Sequence, residues 1–470
     1  MDTIAAIATG LTDSGIGIIR ISGQNAAEVG DCMFRSPSGK RILKGAKSHM
    51  LYYGYAYDTR LNHVVDEVMA VVMKAPRSFT GEDTVEIQCH GGVLVMRKIL
   101  GLALQCGARM AEPGEFTKRA FLNGRMDLSR AEAVMDVISS QNEYALYCSV
   151  NQLKGALSEK VRALRGRIIY EIAYIESALD DPEHINMEGY PGELCSKLDD
   201  MMQEIGRLAD TAENGRLVKE GVNTVIVGKP NAGKSSFLNL LLGEERAIVT
   251  EIAGTTRDVL QETLRLGNIS LNVADTAGIR DTVDAVEKIG VERAKKYAAG
   301  ADLIVYVIDA SVELDENDRE IASFLGEKEI IVLLNKSDLD QVVTEDAVNA
   351  FFREALPERY GGGRKPAIVK TSAREGSGLE DFRKFVEDIF FQGTWKDDGE
   401  ILITNLRHKE ALWQAYDSLS LVKGSIGAGM PEDFYSIDLM NAYSSLGRII
   451  GEEVEEDLVE EIFSKFCMGK

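Results

Sequence analysis

The feature that most constrains this chain is an eight-residue segment, Gly228-Lys-Pro-Asn-Ala-Gly-Lys-Ser235, which lies between two apolar runs. The first run, Val222 to Val227, predicts a strand, and the second, Phe237 to Leu242, predicts a helix. A glycine-rich loop in that setting can close its backbone N–H groups around phosphate oxygens. Lys234 can then reach the β- and γ-phosphates, and the Ser235 hydroxyl can hold Mg²⁺. The segment therefore predicts a phosphate-binding loop (P-loop) in an α/β domain, rather than a glycine-rich surface turn.

Composition limits the classes of protein to which this chain can belong. Its 470 residues suggest two to four domains of roughly 150 residues each, and an apolar fraction of 45% is enough for buried cores. The 53 basic and 75 acidic residues give a net charge of −22, unlike a basic nucleic-acid clamp. The start lacks a basic leader pattern, and no apolar run approaches the ~18 residues of a membrane span. We therefore expect a cytoplasmic protein without a membrane partner.

The cysteines and histidines do not suggest a zinc site. The cysteines form no CxxC pair and have no regular spacing, and the five histidines are scattered. This usage fits a reducing cytosol best. The six cysteines are Cys32, Cys89, Cys106, Cys148, Cys195 and Cys467.

The first half of the chain divides into two segments of different pattern. Residues 1–120 predict an α+β domain. Its strand candidates are Gly15 to Ser22, Val64 to Met73 and Thr84 to Cys89, and its helix candidate is Val93 to Cys106. Residues 121–218 predict a helical domain, with one helix from Leu128 to about Leu179 and another from about Gly192 to Leu217. Asp127 is the expected N-cap of the first helix.

The second half also divides in two. Residues 219–383 alternate β-rich runs at 222–227, 269–274, 302–309, 329–334 and 367–370 with helical segments, which predicts a doubly wound parallel sheet. Residues 384–470 are helical again from about Leu402. We expect this tail to pack on the earlier helices, so that the P-loop domain is inserted in a helical domain. The acidic run from Glu452 to Glu461 is most simply a solvated helix face.

Motifs that follow the P-loop extend the phosphate site. Asp275-Thr-Ala-Gly278 comes after the strand Leu271 to Ala274. An aspartate at a strand end can hold Mg²⁺ through water, and the glycine N–H can sense a γ-phosphate. Between this motif and the P-loop lies the segment from Thr250 to Asp258, in which Thr256 can complete the Mg²⁺ shell and order a switch loop.

Two further motifs identify the base. Asn335-Lys-Ser-Asp338 follows the strand Ile330 to Leu334, and the Asp338 carboxylate can accept hydrogen bonds from guanine N1–H and N2–H₂. Backbone N–H groups of Ser372-Ala-Arg374 can contact the same base. Five motifs in this order predict a GTP site. Its predicted residues are Asn231, Ala232, Gly233, Lys234, Ser235, Ser236, Thr250, Glu251, Ile252, Ala253, Gly254, Thr255, Thr256, Asp275, Thr276, Ala277, Gly278, Asn335, Lys336, Ser337, Asp338, Ser372, Ala373 and Arg374.

One missing side chain points to an unusual hydrolytic mechanism. Ras-like proteins place a glutamine directly after the DxxG glycine to orient water, but this chain has Ile279 there. Hydrolysis then needs another polar group and a cation in place of an arginine finger. Asn231, with backbone oxygens from Thr250 to Thr255, can hold a monovalent cation. Glu287 is a candidate to position the water, and its alternative interpretation is a surface helix charge.

With these motifs placed, the chain resembles the MnmE (TrmE) family of tRNA-modification GTPases over its whole length. The motifs that carry the resemblance lie in all parts of the chain. They are Gly17 to Gly23, Phe79 to Asp83, Cys89 to Gly92, Pro113 to Thr117, Arg119 to Asn123, Pro230 to Ser236, Ala253 to Asp258 and Phe466 to Lys470. The resemblance implies a multidomain α/β and α fold. Its parts are an N-terminal folate-binding-like and dimerisation domain (1–120), a helical domain in two parts (121–218 and 384–470) and an inserted Ras-like P-loop G domain (219–383).

The resemblance also implies a K⁺-stimulated GTPase whose G domains dimerise across the nucleotide. The implied ligands are Asn231, Thr250, Ile252 and Thr255 for K⁺, and Ser235 and Thr256 for Mg²⁺. Glu287 matches the catalytic glutamate of the family. Members act as homodimers and form a heterotetramer with an FAD-containing flavoprotein, MnmG. Together they add a (carboxymethyl)aminomethyl group to C5 of the wobble uridine of certain tRNAs.

The one-carbon unit comes from 5-formyl- or 5,10-methylene-tetrahydrofolate, which the resemblance places at Arg20, Glu86, Arg125 and Lys470. If the family resemblance is left aside, the alternative interpretation of Arg20 and Glu86 is a salt bridge with a purely structural role. Two positions depart from the usual family pattern. Met468 replaces an isoleucine, an apolar residue of similar size. Arg125 stands where the family often has lysine, so the charge is kept but the hydrogen-bond geometry changes. Cys467 is either a nucleophile or base, or a buried packing residue.

Two other functions remain open from the residues alone. A ribosome-assembly or switch GTPase shares every nucleotide motif, and a folate-binding scaffold with a vestigial G domain shares the N-terminal part. The acidic composition argues against a basic RNA-binding domain and against tight autonomous tRNA binding. Only a modest basic patch is expected, at Lys160, Arg162, Arg165 and Arg167. We therefore predict that the protein partner supplies most of the RNA affinity.

Overall fold

A computed structural model describes most of the chain, in two compact units. The described residues are 2–181, 184, 187–244, 261–267, 269–274, 295, 297–326, 328–361, 365–391, 401–452, 454, 456–466 and 469. The first unit comprises Met1–Ile138, Ser149–Ile205 and Ala411–Lys470, and the second comprises Ser139–Cys148 and Gly206–Glu410.

An almost wholly antiparallel sheet forms the N-terminal part of the first unit. Its strands are β1 (Ile4–Ile7), β2 (Ser14–Ser22), β3 (Phe34–Arg35), β4 (Met50–Asp58), β5 (His63–Met73), β6 (Thr84–Gly91) and β7 (Arg109–Met110). Their order across the sheet is β3-β4-β5-β6-β2-β1-β7, and only β1 and β7 pair in parallel. Helices α1 (Ala26–Met33) and α2 (Val93–Gln105) pack on this sheet.

Alternation along β2 and β6 separates a core face from a polar face. Ile19, Ile21 and Ile87 are buried against α1 and α2. Arg20 and Glu86 point to the opposite face, because successive strand side chains alternate. The antiparallel register places these two residues directly opposite each other. The sheet therefore presents a paired cation and carboxylate on the side away from its helices.

The remaining helices follow α2 along the chain. They are α3 (Glu115–Leu122), α4 (Leu128–Ser139), α5 (Glu143–Lys154), α6 (Ala156–Asp180), α7 (Tyr190–Asp210), α8 (Ala212–Glu220), α9 (Lys234–Glu244), α10 (Glu316–Ser323), α11 (Glu345–Ala355), α12 (Pro357–Gly361), α13 (Leu379–Phe391), α14 (Leu406–Gly427), α15 (Asp433–Ile450) and α16 (Glu456–Ser464). Within the first unit α15 packs along α6, where the Arg165 guanidinium lies 3.9 Å from the centroid of the Tyr443 ring.

The prediction of two long helices was wrong, because polar residues and one glycine interrupt them. The first is divided into α4, α5 and α6. The side-chain Oδ1 of Asn142 accepts from the Ala145 N–H at 2.7 Å and caps the start of α5, while Gly155 at φ +106° precedes α6. The second is divided into α7 and α8 at Thr211, whose hydroxyl donates to the Leu208 carbonyl. Short polar side chains that bond their own backbone end helices that apolar periodicity would continue.

A mostly parallel sheet forms the second unit. Its strands are β8 (Val222–Val227), β9 (Gln261–Leu266), β10 (Ile269–Ala274), β11 (Leu303–Asp309), β12 (Glu329–Asn335) and β13 (Ala367–Lys370). The order is β13-β12-β11-β8-β10-β9, and only β9 pairs antiparallel, with β10. The five predicted strands and the doubly wound class are confirmed. The sequence prediction missed β9, a short edge strand that alternates polar and apolar residues.

One disulfide was not expected from the sequence. Cys32, near the end of α1, pairs with Cys106, which caps the end of α2, across a separation of 74 residues. Irregular cysteine spacing gave no reason to pair them. Cys89 and Cys148 are buried thiols, and burial raises the pKa of each to about 11. Both therefore stay protonated and behave as packing residues.

Among the residues that the structure describes, none of the helices combines the length and the apolarity that crossing a bilayer requires.

Candidate functional site

The P-loop has the backbone shape that its glycines predicted. It joins β8 to α9, and Gly228 and Gly233 adopt φ values of +151° and +104°. A Cβ on Gly233 would lie 1.9 Å from the amide nitrogen of Asn335, and one on Gly228 would lie 2.3 Å from the Val307 carbonyl. Both positions therefore require glycine for conformation and for space.

Lys234 starts α9, with its ammonium group held inside the loop. Its Nζ donates to the carbonyls of Gly228 and Lys229, each at 2.8 Å. Burial lowers the pKa of the Lys234 ammonium. A partly desolvated cation held at a ring of backbone groups is suited to bind an anion such as phosphate.

Lys229 anchors the start of the loop to α10. Its Nζ lies 2.7 Å from Asp318 and 3.1 Å from Asp315, and Asp318 also accepts from the buried Tyr306 hydroxyl at 2.7 Å. The same two aspartates form the capping box of α10. The two lysines of the loop thus differ in their contacts: Lys229 pairs with carboxylates, whereas Lys234 has no carboxylate partner among the residues that the structure describes.

Asn335 links the P-loop to the base-binding motifs. Its amide nitrogen donates to the Ala232 carbonyl at 2.8 Å, and its amide oxygen accepts from the Ala373 N–H at 3.2 Å. Asn335 ends β12, and Ala373 follows β13, so the parallel sheet delivers both to one edge. Asn335 thereby holds the P-loop and the base-binding motifs together.

Asp338 is exposed and prepared to accept hydrogen bonds. The Ser372 hydroxyl donates to one carboxylate oxygen at 2.7 Å, and this bond is the largest cause that lowers the Asp338 pKa, with Arg374 and Lys336 contributing. The carboxylate therefore stays ionised near neutral pH. An ionised carboxylate held from one side can accept from two parallel N–H donors, as guanine offers.

Asp309 is a site residue that sequence reasoning missed. Its carboxylate lies 2.5 Å from the Lys336 ammonium and accepts from the Ser311 hydroxyl at 2.6 Å. Lys336 sits at φ +62°, so its backbone is held in a left-handed conformation between Asn335 and Asp338. The sequence signal that could have identified it is an aspartate at the carboxyl end of a buried strand. Asp309 ends β11, which pairs in parallel with β12, so it lies at the same end of the sheet as Asn335.

Part of the predicted GTP site lies outside the described residues. This holds for the segment 250–256, the motif 275–278, Ile279 and Glu287, and the C-terminal residues Cys467, Met468 and Lys470 are outside them as well. Within the described part, no group of three His, Cys, Asp or Glu side chains could hold a metal ion. The predicted cation ligands that are described, Asn231 and Ser235, offer oxygen donors at the loop, which suits K⁺ and Mg²⁺. Asn231 is exposed at φ +61°.

A second cluster surrounds Arg20 on the polar face of the N-terminal sheet. Arg20 Nε lies 2.7 Å from a Glu86 oxygen, and both side chains are 16% exposed. The rings of Phe79 and Phe116 lie 5.4 and 5.7 Å from the guanidinium, close enough for cation–π contact. Phe116 is fully buried, whereas the Phe79 ring is partly exposed. A partly exposed cation and carboxylate beside one aromatic ring can accept a flat heteroaromatic ring bearing both donors and acceptors, as a pterin does.

The chain terminus and Arg125 reach the neighbourhood of this cluster. Arg20 Nη1 donates to the Gly469 carbonyl at 3.4 Å. Gly469 adopts φ +92°, and a Cβ there would lie 2.3 Å from the Ile7 carbonyl, so only glycine fits against β1. Arg125 donates from Nε to the Ser78 carbonyl, one residue before Phe79. The structure thus brings together three parts of the chain that are distant in sequence.

A buried ion network supports the loop that carries Phe79. Arg119 is 3% exposed, and its guanidinium contacts Glu82 at 3.1 Å, Glu115 at 2.9 Å and Asp2 at 2.7 Å. Glu82 belongs to the same β5–β6 loop as Phe79. This network ties the N-terminus, α3 and that loop together, and the sequence pattern did not reveal it.

The basic residues expected to form a patch on α6 are paired with acids. Lys160 and Arg167 both contact Glu204, Arg162 lies 3.2 Å from Asp127, and the buried Arg165 pairs with Glu452. Exposed cations that are neutralised by neighbouring carboxylates attract phosphate weakly. This helix therefore offers less positive charge than its sequence suggested.

Comparisons with known proteins cover the whole chain. Residues 128–467 match the family described as MnmE helical domain, and residues 3–125 match the family described as GTP-binding protein TrmE N-terminus. Two relatives are both named tRNA modification GTPase MnmE. The one from Lachnoclostridium phytofermentans is 54% identical over 469 residues, and the one from Clostridioides difficile is 47% identical over 473. Each alignment covers 100% of this chain and 99% of the relative.

Proposed function

Because this chain belongs to the MnmE family of tRNA modification GTPases, we propose that it is a K⁺-stimulated GTPase acting in the cytoplasm on the wobble uridine of certain tRNAs. The observation that supports the nucleotide best is the Asn335 brace, which ties the P-loop to the segment that flanks Asp338. The brace fixes the position of the P-loop, which would bind phosphate, relative to the Asp338 carboxylate, which would accept hydrogen bonds from guanine. The same arrangement would serve any purpose of GTP binding, so the tRNA part rests on the family.

For hydrolysis, we propose that Ser235 and Thr256 bind Mg²⁺ and that Asn231, Thr250, Ile252 and Thr255 bind K⁺. These cations supply positive charge to the β- and γ-phosphate oxygens as the γ-phosphoryl group leaves. Lys234 binds the phosphates from the P-loop. Ile279 cannot hydrogen-bond water, so the proposed role of Glu287 is to position it.

For the modification, we propose that a tetrahydrofolate binds at Arg20, Glu86, Arg125 and Lys470. Bound there, 5-formyl- or 5,10-methylene-tetrahydrofolate supplies a one-carbon unit. The Arg20–Glu86 pair offers a donor and an acceptor to the heteroaromatic ring, and the partly exposed Phe79 ring lies beside the pair. The proposed assembly is a homodimer that joins the flavoprotein MnmG into a heterotetramer.

The base preference gives a sharp prediction. Asp338→Asn replaces one acceptor oxygen by an NH₂ donor, which mismatches guanine N2–H₂ but matches the O2 carbonyl of xanthine. We expect GTP to bind on the order of a hundredfold more weakly and XTP to bind more tightly than it does to the wild type. Titration of both nucleotides with the full chain measures this, and Asp340→Asn is a matched exposed control. If the variant loses affinity for GTP without gaining affinity for XTP, Asp338 does not read the base.

Reconstitution with the flavoprotein partner tests the proposed function. An unmodified tRNA, GTP, 5,10-methylene-tetrahydrofolate and an amine donor are incubated, and the wobble nucleoside is analysed by mass spectrometry. Wild type should modify the uridine only when GTP and folate are both present. Arg20→Ala should lose modification but keep GTP hydrolysis, whereas Glu287→Ala should keep GTP binding but lose hydrolysis. Modification in the absence of GTP, or normal modification by Arg20→Ala, would contradict the respective assignment.

A further inference from the structure

We propose that Asp309 is a positioning residue for guanine recognition, which holds Lys336 and through it the turn that presents Asp338 to the base. This inference deepens the proposed function and rests on it, since it takes Asp338 as the guanine acceptor. Asp309 belongs to none of the motifs that predicted the GTP site. It contacts a residue of one motif instead, and that contact gives it a part in selecting the nucleotide.

The Asp309 carboxylate is held in place by its own strand and turn. Asp309 ends β11, and the parallel register places it beside Asn335, the last residue of β12. One carboxylate oxygen accepts from the Ser311 N–H at 3.0 Å and from the Ser311 hydroxyl at 2.6 Å. The other oxygen lies 2.5 Å from the Lys336 ammonium. The bonds to the first oxygen therefore fix the carboxylate so that the second oxygen can anchor the lysine.

Lys336 needs such an anchor because its backbone conformation is unusual. Its φ of +62° lies in the left-handed region, which a residue with a Cβ occupies only where its surroundings require it. The Ser337 N–H donates to the Thr371 carbonyl at 3.0 Å, which ties the turn to the end of β13. The Leu339 N–H donates to the Lys336 carbonyl at 3.0 Å and closes the turn. The ion pair with Asp309 fixes the side chain of the left-handed residue itself.

The direction of the Asp338 carboxylate depends on this turn. Asp338 is exposed and lies two residues after Lys336. The Ser372 hydroxyl donates to one of its oxygens at 2.7 Å, but one hydrogen bond does not fix the plane of a carboxylate. Guanine presents two parallel N–H donors, and hydrogen bonds weaken steeply when donor and acceptor are misaligned. A turn that is loosened at Lys336 would therefore weaken both bonds to the base.

The alternative role for Asp309 is an ion pair that only stabilises the fold. The Lys336 side chain is 33% exposed, and ion pairs that solvent reaches contribute little to stability. A left-handed lysine two residues from a ligand-binding carboxylate is more typical of a functional site than of a stabilising contact. The contacts therefore favour positioning over stabilisation, and the two roles give different results in binding experiments.

The test compares the binding of GDP and IDP to the full chain by titration calorimetry. Inosine lacks the N2–H₂ donor, so the preference for GDP reports how well Asp338 is aligned, and we expect it to be on the order of tenfold in the wild type. Asp309→Asn keeps the size of the side chain and removes its charge. It should weaken GDP binding roughly tenfold and lower the preference for GDP severalfold. For GTP hydrolysis the rise in KM should exceed the fall in kcat, because the base is bound alike in the ground and transition states.

A double-mutant cycle tests whether Asp309 acts through the lysine. Lys336→Met removes the ammonium but keeps an unbranched side chain, and it should reproduce the lowered preference for GDP. The double variant should bind GDP no more weakly than the weaker of the two single variants, because either change alone breaks the pair. Additive losses would overturn the proposal. If Asp309→Asn does not fold, Lys336→Met decides, since an unchanged preference in that variant also overturns it.

Glu313→Gln is the matched control, because it turns an exposed carboxylate of the loop after β11 into an amide. It should keep the wild-type preference, and a loss equal to that of Asp309→Asn would overturn the proposal. So would an Asp309→Asn variant with a lower melting temperature but an unchanged preference, because the pair would then only stabilise the domain. Failure of the base assignment has a different signature, since the wild type itself would not prefer GDP over IDP, and that result would overturn both.

Discussion

Lys234→Ala should reduce kcat/KM for GTP on the order of a thousandfold, which is the largest effect on hydrolysis that we expect. The ammonium is partly desolvated and held by two carbonyls of the P-loop, so its charge is already in place for the phosphates. Removing one partner of a close, desolvated charge pair costs about 2–5 kcal/mol. Steady-state hydrolysis, together with nucleotide binding by calorimetry, measures the loss.

Lys229→Ala is the matched control, because it removes the other lysine of the same loop. Its ammonium pairs with Asp318 and Asp315, so we expect a lower melting temperature and a modest change in kcat. Equal losses of hydrolysis in the two variants would show that the loop needs its shape and not the specific Lys234 charge. A Lys234→Ala enzyme with near-normal kcat/KM would refute the phosphate assignment directly.

The second large effect concerns stability. Arg119→Ala should destabilise the N-terminal domain by about 3–5 kcal/mol, because it removes a buried guanidinium that the Glu82 and Glu115 carboxylates share and leaves Glu115 with Arg109 only. Hydrogen exchange of β1, α3 and the β5–β6 loop locates the change, and thermal unfolding measures it. Arg109→Ala removes a 44% exposed arginine that shares Glu115 and Asp2. We expect about 1 kcal/mol or less from that variant, and equal effects would mean that burial is not what gives Arg119 its importance.

The pH dependence of this network has a definite sign. Burial opposes ionisation of Glu115, but Arg109, the Glu112 N–H and Arg119 outweigh it, so the folded-state pKa of Glu115 is lowered from 4.5. A carboxyl with a lowered pKa adds stability above its unfolded pKa, and that stability is lost as pH falls through the folded value. Exchange protection of α3 should therefore be constant from pH 7 to about 5 and should fall below about 4.5. Protection that rises on acidification would contradict the network.

Secondary-structure elements that depend mainly on local sequence were predictable. The buried parallel strands of the second unit are continuous apolar runs, and all five were found at nearly the observed bounds. Of the missed strands, β1, β3, β7 and β9 are short, and β4 is nine residues long; pairing to neighbours holds all of them in place. Long-range pairing does not appear in a window of local sequence.

The site divides in the same way. The P-loop and Asp338 were predictable because motif spacing encodes a backbone path. The Asn335 brace, the Asp309–Lys336 pair and the Phe79–Arg20–Phe116 arrangement were not, because each joins side chains from separate elements. The α6 patch shows the reverse error, since its cations could be counted from the sequence but their acidic partners could not. Charge counting alone thus overestimated the positive charge of this surface.

The most direct measurement of the central claim is the rate of GTP hydrolysis in KCl compared with NaCl at equal ionic strength, for wild type and Asn231→Ala. A cation that replaces an arginine finger must fit its oxygen ligands, and such a positive charge is worth on the order of a thousandfold in kcat. We expect wild type to be at least about tenfold faster in K⁺, and Asn231→Ala to be slow in both salts while still binding GTP. Equal wild-type rates in the two salts would contradict the account of Asn231 as a cation ligand.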